Sequence, residues 1–357
     1  MSEKINTRVA GLDVLRIALT LAIFVFHSRG HFSCDYGPMN HFADMGATAM
    51  TGFFMLSAYS LYLSSRDRNL MELDGMWRFY LKRFIAVFPL YYAVAVLYVL
   101  FIGKESVTDN LILLPIGLLG IQSTYSGLFT ISHVGGTWFI SCLLVCYLLF
   151  PFLQTIIGKM TDKARIILIS ACAFILLWSP FVVYRFQCGP IYSNPFFRLL
   201  EFTTGLALAN LNNSESLAGC KTLNCLRAKP MPLIAGILMI AGISLAVSLN
   251  VAPGNFMLYN WIVLPCYGIM LLGLGHQRYR SIQDSQVLAF LGKISYAFFM
   301  AQFFVWDISN YALNYSGTDS NMLRITVSFI TCSLLSLVFY YGIGKPAGRL
   351  LGKAWIK

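Results

Sequence analysis

Residues 12–27 read LDVLRIALTLAIFVFH. The run is apolar enough to form a membrane helix, yet it contains Arg16 and His27. Eleven helical residues turn through about 1100° and rise about 16 Å, so these two side chains lie on one face of the helix. Either residue alone fits a snorkelling arginine or an interfacial histidine. A buried arginine costs about 3 kcal/mol and usually faces a polar interior, so the pair predicts a polar cavity beside this helix.

The whole chain has the composition of a helical membrane protein. It is 57% hydrophobic and only 11% charged, and a soluble domain cannot bury that much apolar surface. With about 20 residues per span, about ten helices fit into 357 residues. We therefore predict an all-α, polytopic protein with a single membrane domain over 1–357 and no removed signal peptide. The predicted spans are 9–28, 45–64, 84–102, 135–157, 165–183, 196–211, 232–250, 258–275, 288–307 and 322–343.

The chain has a net charge of +11, and the positions of its basic residues indicate how it is oriented in the membrane. With the N-terminus inside, twenty lysines and arginines fall in cytoplasmic segments, and only Arg29, Lys104 and Arg185 fall in outer loops. This bias predicts an N-in, C-in, multi-pass protein of the cell (inner or plasma) membrane. The expected partner of the surface is therefore the lipid bilayer and not nucleic acid. The sequence does not indicate an oligomeric state.

The nine cysteines do not have the spacing of a metal site. Cys220 and Cys225 lie in a predicted cytoplasmic loop without neighbouring histidines, so we predict no bound metal. Cys34 and Cys188 face the oxidising side in the predicted topology, where they could pair.

Two further groups of charged residues lie at the edges of predicted spans. Arg78, Lys82 and Arg83 alternate with aromatic residues, a pattern typical of a helix anchor or of a phosphate site. Arg198 and Glu201 are three residues apart on a helix and can pair, most simply for a structural purpose. The chain has no glycine-rich nucleotide loop, no H-E-x-x-H and no G-x-S-x-G element.

The order of motifs resembles the acyltransferase 3 family of integral membrane acyltransferases. The matching elements are Leu12-Asp13-x-Leu15-Arg16-x10-His27, Phe53-Phe54-Met55-Leu56-Ser57, Arg83 with Pro89, the span from Trp138 to Pro151, Arg198-x-x-Glu201-Phe202-x-x-Gly205, and Ile294-Ser295-Tyr296. They cover nearly the whole chain. The chain departs from the family at Ala86, where a second arginine is usual, and at Gln302, where many members have histidine. It lacks an acid after Trp138, as in the stand-alone branch.

The resemblance implies a stand-alone O-acetyltransferase. Such an enzyme moves an acyl group, commonly acetyl, from cytoplasmic acyl-CoA to a hydroxyl of a cell-surface polysaccharide, lipid-linked sugar or similar envelope acceptor. Acetyl-CoA or another acyl-CoA would be a substrate, and no cofactor would be bound permanently. His27 would be the general base, Arg16 would orient the donor or stabilise the oxyanion, and Asp13 would hold Arg16. An acyl-histidine intermediate is the alternative path.

The remaining candidate residues divide between donor and acceptor. The donor-side candidates are Arg78, Lys82, Arg83 and Ser57, and the acceptor-side candidates are Trp138, Tyr147, His133, Arg198 and Glu201. Two other classes of function stay open. A transporter or flippase would use Arg16 and His27 to bind an anionic substrate, and a small-molecule-binding membrane domain would not consume acyl-CoA.

Overall fold

The structure, a computed structural model, describes residues 8–103, 106–123, 135–187, 191–251, 255–276, 280–317 and 320–355. Within these ranges all regular secondary structure is helical, which confirms the all-α prediction. The helices are α1 (Ala10–Phe32), α2 (Asn40–Asp44), α3 (Ala49–Ser65), α4 (Leu73–Phe101), α5 (Val107–Leu119), α6 (Trp138–Lys159), α7 (Asp162–Phe186), α8 (Pro195–Asn212), α9 (Lys221–Leu226), α10 (Met231–Ser248), α11 (Asn260–His276), α12 (Arg280–Gln283), α13 (Gln286–Ser316), α14 (Asn321–Phe339) and α15 (Lys345–Trp355).

Each predicted span overlaps one helix of the described chain. Eight stretches are long and apolar enough to cross a membrane, namely α1, α4, α6, α7, α10, α11 with the short turn before it, α13, and α14 with α15. This confirms a polytopic membrane protein. The short α3 and the polar α8 are not among the eight. In α8, 13 of the 18 residues are buried, and a helix enclosed by other helices does not need an apolar surface. The count of about ten spans, the N-in, C-in orientation and the single domain stay predictions.

The outer helices expose apolar side chains, as expected for contact with lipid. In α7 and in α10, only 17% of the residues in the most apolar stretch of 18 are buried. Large side chains such as Ile167, Phe174 and Leu233 are consequently exposed on the surface of the bundle. Such a belt would be costly in water, but lipid tails cover it in a bilayer.

Close helix contacts in the centre of the bundle depend on small residues. At Gly205 of α8, a Cβ atom would overlap the carbonyl oxygen of Met55 in α3. The glycine therefore lets the two backbones approach directly, which small residues permit in membrane helices. This contact places α8 against α3.

The start of the first described helix and the end of the last one each pack against other helices at one end of the bundle. The guanidinium of Arg8, just before α1, donates to the carbonyl oxygen of Gln283 over 2.7 Å, and Trp355 of α15 packs against Phe84 of α4 with 6.1 Å between ring centroids. We call this the basic end, because it carries Arg8, Arg68, Arg78, Lys82, Arg83 and Lys293. At the opposite end, the amide of Asp35 donates to Oδ1 of Asn321 over 2.6 Å.

Candidate active site

A cavity of about 530 Å³ lies between α1, α3, α4, α6 and α13. We call it the central cavity. Aromatic and aliphatic side chains form most of its wall, and the polar side chains in the wall include Arg16, Ser57, Ser60, Tyr147 and Lys293. Its volume and its mixed wall are typical of a small-molecule site.

Arg16 is held at the wall of the central cavity by Asp13. Its Nη1 donates to Oδ1 of Asp13 over 2.8 Å, and its Nη2 donates to Oγ of Ser60 over 3.3 Å. The other oxygen of Asp13 accepts from Nε of Arg8 over 2.8 Å. One carboxylate thus orients two guanidinium groups, and the site keeps a net positive charge. This geometry agrees with the predicted role of Asp13.

The position of Asp13 also depends on α13. A Cβ at Gly292 would lie 2.8 Å from Oδ1 of Asp13, so a larger side chain there would push the carboxylate aside. Because Gly292 lets α13 approach α1 closely, the next residue, Lys293, reaches the central cavity.

Two further cavities adjoin the central cavity at the basic end. One, of about 380 Å³, is lined by Arg68, Arg78, Lys82 and Arg83 together with apolar and small residues of α3 and α4. The other, of about 410 Å³, is lined by Lys82, Arg83 and Lys293 and by the glycines at 344, 348 and 352. Arg83 lines all three cavities, so they meet at this side chain.

The cations at this junction are not neutralised within the described chain. No described carboxylate lies within 4.0 Å of Lys82, Arg83 or Lys293, whereas Arg78 pairs with Asp74 over 2.8 Å. Cavities that share unpaired lysine and arginine side chains suit a phosphorylated ligand. Among the predicted residues, Lys82 and Arg83 are brought together here, and Arg78 lies beside them.

Lys293 and Arg68 extend the predicted set of donor-side residues. From the sequence, both residues contribute only to the predicted topology. Lys293 is far from Arg83 along the chain, and Arg68 lies in the loop before α4. Lys293 lines the same two cavities as Ala86, the residue that replaces the second family arginine. A cation from α13 therefore reaches the region to which that arginine would project from α4.

Ser57 and Tyr147 both line the central cavity, with 3.5 Å between their hydroxyl oxygens. Trp138 does not line it. Its ring packs instead against Tyr192, with 4.8 Å between ring centroids. The predicted acceptor residue His133 lies outside the described residues.

His27 lies nearer the opposite end and is not part of the wall of the central cavity. Its Nδ1 lies 2.7 Å from Oε1 of Gln302 on α13. The ring of Phe299 lines the central cavity and lies 6.3 Å from the ring of His27, measured between centroids. Phe299 therefore links the wall of the cavity to His27. Neither Gln302 nor Phe299 was identified as a site residue from the sequence.

Arg198 and Glu201 form a fully buried ion pair that does not line any of the three cavities. Nη1 of Arg198 donates to both carboxylate oxygens of Glu201, over 2.9 and 2.8 Å, and Thr51 of α3 donates to Glu201 over 2.8 Å. Nε of Arg198 donates to the carbonyl oxygen of Tyr192 over 2.8 Å, and its guanidinium lies 4.6 Å from the Tyr192 ring. These contacts join α8 to α3 and to the segment before α8.

The segment before α8 is itself anchored by Tyr192. Burial raises the pKa of the Tyr192 phenol, so it stays neutral and donates to the carbonyl oxygen of Ala47 over 3.1 Å. The contacts of Arg198, Glu201 and Tyr192 support a structural role for this cluster, and the predicted contact of Arg198 and Glu201 with substrate stays a prediction.

Metal-ligand side chains are not clustered in the described ranges, where no group of three or more His, Cys, Asp or Glu residues could hold a metal ion. Cys188 lies outside the described residues, so its pairing with Cys34 stays a prediction.

Comparison with known proteins agrees with the motif order. A family profile described as an acyltransferase domain, Acyl_transf_3, matches residues 9–341. The acyltransferase MdmB of Streptomyces mycarofaciens is 24% identical over an alignment of 388 positions that covers 97% of this chain and 93% of MdmB. No solved structure has significant similarity to the chain. Because the matched range includes Arg16, His27 and nearly all of the cavity-lining helices, the chain belongs to the acyltransferase 3 family.

Proposed function

We propose that the protein transfers an acyl group, commonly acetyl, from cytoplasmic acyl-CoA to a hydroxyl of an envelope acceptor such as a cell-surface polysaccharide or a lipid-linked sugar. It would act in the cell membrane, with the basic end toward the cytoplasm. One observation carries the proposal: the cavity that holds Arg16 meets the cation-lined cavities at Arg83. In a chain of this family, that arrangement suits a donor with a phosphorylated end and a reactive acyl end.

The two ends of acyl-CoA match the two kinds of cavity. Lys82, Arg83 and Lys293 have no carboxylate partner among the described residues. The diphosphate and ribose phosphate of CoA carry negative charges that could pair with them. Its pantetheine arm is a neutral chain with amide groups, which suits the mainly apolar central cavity with hydroxyls at Ser57 and Ser60. In this orientation the nucleotide stays at the basic end and the pantetheine arm extends past Arg16, which brings the thioester toward Phe299.

The chemistry follows from the charges that develop during transfer. When the acceptor hydroxyl attacks the thioester carbonyl, His27 takes the hydroxyl proton and the carbonyl oxygen becomes an oxyanion. Arg16, fixed by Asp13, lies about 16 Å along α1 from His27, so it would bind and orient the donor away from the reacting carbonyl. Collapse of the intermediate breaks the carbon–sulfur bond, and the proton on His27 passes to the CoA thiolate. Phe299 contacts both the central cavity and His27, so its ring would rotate aside for the thioester to reach His27.

The first experiment measures transfer of labelled acetyl from acetyl-CoA by the purified protein in bilayer nanodiscs, with and without candidate acceptors. We expect His27→Ala to lower transfer by about 10²–10⁴-fold, the contribution of a positioned base. His41→Ala is the matched control, since His41 is exposed on the short α2, and it should act like the wild type. Transfer at the wild-type rate by His27→Ala would refute the role of His27.

The same preparation distinguishes the other classes of function. A transporter or flippase would move substrate across a vesicle membrane without acyl-CoA, and a binding domain would bind ligand without releasing CoA. Mass spectrometry of envelope glycans from cells with and without the gene would then identify the acceptor.

A further inference from the structure

The contact between His27 and Gln302 determines which nitrogen of the imidazole carries a proton. The carbonyl oxygen of a glutamine side chain only accepts hydrogen bonds, so Nδ1 of His27 must donate to it. A neutral imidazole carries a single N–H, and Nε2 is then left with its lone pair. Nε2 is therefore the nitrogen that can accept a proton from a hydroxyl.

The burial of Gln302 indicates that this contact is more than packing. The side chain is only 2% exposed, and its Nε2 has no hydrogen-bond partner among the described residues. A buried donor without a partner costs about 1–3 kcal/mol, which an apolar side chain of similar size would avoid. On the same helix, the ring of Phe299 lies 6.3 Å from that of His27, and the ring of Trp306 stacks on that of His31 at 6.0 Å.

We propose that Gln302 is a positioning residue that holds His27 as the Nδ1–H tautomer with Nε2 free to act as the base. This inference rests on the proposed function. Gln302 accepts from Nδ1 throughout, while Nε2 takes the proton from the acceptor hydroxyl and returns it to the CoA thiolate. Since Gln302 is neutral, it orients the ring without the negative charge that would favour a resting imidazolium.

Ionisable groups in the described part of this region include His31 and Asp307. The ring of His31 lies 5.8 Å from that of His27, and Asp307 of α13 interacts with His31. The carboxylate that α13 contributes to this region thus faces His31, and the neutral amide of Gln302 faces His27.

The tautomer can be measured without enzymatic turnover. Protein labelled with ¹³C and ¹⁵N in its five histidines is reconstituted in lipid bilayers and studied by solid-state NMR at neutral pH, with His27→Ala used to assign the His27 signals. We expect His27 to be protonated at Nδ1 and unprotonated at Nε2. In Gln302→Met, which keeps the length of the side chain but removes the acceptor, the Nδ1–H form should lose its preference. A wild-type His27 protonated at Nε2 alone would overturn the proposal.

Kinetics then test whether the contact serves catalysis. Gln302→Met should lower kcat about 10²-fold with little change in the KM for acetyl-CoA. Gln302→Glu keeps an acceptor oxygen but adds a negative charge that favours the imidazolium, so it should recover kcat only as the pH rises. Gln154→Met on α6, outside the site, is the matched control and should not change kcat. In the His27→Ala background, Gln302→Met should have no further effect. An independent, additive loss in that background would contradict the positioning role.

The two measurements also separate this proposal from the proposed function. If the wild type transfers no acyl group from any acyl-CoA, the proposed function fails whatever the NMR spectrum shows. If transfer is normal but His27 carries its proton on Nε2, only the inference about Gln302 fails.

Discussion

At Asp13 a single carboxylate compensates two arginines, one before the first helix and one at the wall of the central cavity. Oδ1 accepts from Arg16 and Oδ2 from Arg8, each over 2.8 Å. A guanidinium fixed in this way is already oriented when a ligand enters the cavity, so little conformational freedom is lost on binding. Because Arg16 lies about 16 Å along α1 from His27, it is placed to bind the donor and not to act at the reacting carbonyl.

Removal of Arg16 therefore affects donor binding. We expect Arg16→Ala to raise the KM for acetyl-CoA by about 10–100-fold with a smaller change in kcat, the effect of losing one charge-assisted contact. The measurement is steady-state kinetics with labelled acetyl-CoA, and Arg185→Ala, at the end of α7, is the control. A variant with unchanged KM and a strongly lowered kcat would mean that Arg16 acts in the chemical step.

At the scale of elements, the contact between α3 and α8 combines a close backbone approach at Gly205 with a buried ion pair. Glu201 accepts from Thr51 of α3 and from Arg198 of its own helix. Both charged side chains are fully buried, so each is tolerated only while the other is present. The pair stabilises one arrangement of two central helices, and α3 in turn carries Ser57 and Ser60 into the cavity wall.

Breaking this pair on one side should destabilise the fold. Glu201→Ala leaves Arg198 charged and without its carboxylate, which typically costs about 3–5 kcal/mol. We expect a clearly lower melting temperature of the purified protein in detergent, followed by tryptophan fluorescence. The double variant Arg198→Leu with Glu201→Leu should melt at a higher temperature than Glu201→Ala. If Glu201→Ala melts like the wild type but binds the acceptor poorly, the pair contacts substrate as the family resemblance suggests.

At the scale of the whole molecule, the two ends of the bundle differ in charge. The basic end holds the cations that line the donor cavities, and His27 lies toward the opposite end. A belt of exposed apolar side chains lies between them on the outer helices. This arrangement suits an enzyme that takes a donor from one side of a membrane and modifies an acceptor on the other.

A native cysteine can test which end faces the cytoplasm. Cys225 is exposed on α9, between α8 and α10, in a segment that we predict to be cytoplasmic. A membrane-impermeant maleimide should label it in inside-out vesicles and not in intact cells, as read by mass spectrometry of the labelled peptide. The Cys225→Ser variant shows the background labelling. Labelling of Cys225 in intact cells would reverse the predicted orientation.

The sequence by itself determined the features that depend on neighbours along the chain. Hydropathy over about 20 residues predicted each long helix, and the three-residue spacing of Asp13 and Arg16 predicted their contact. The even distribution of apolar residues did not reveal which helices lie in the interior, since lipid and protein surroundings are both apolar.

Only the tertiary structure decided which side chains from different helices meet. Lys293 comes to line the cavities shared with Arg83, and Gln302 reaches His27 across 275 positions of sequence. Phe299 likewise comes between the central cavity and His27. The physical reason is that such meetings follow from how helices pack and rotate against each other, through contacts such as Gly292 against Asp13, and no local pattern in the chain encodes that geometry.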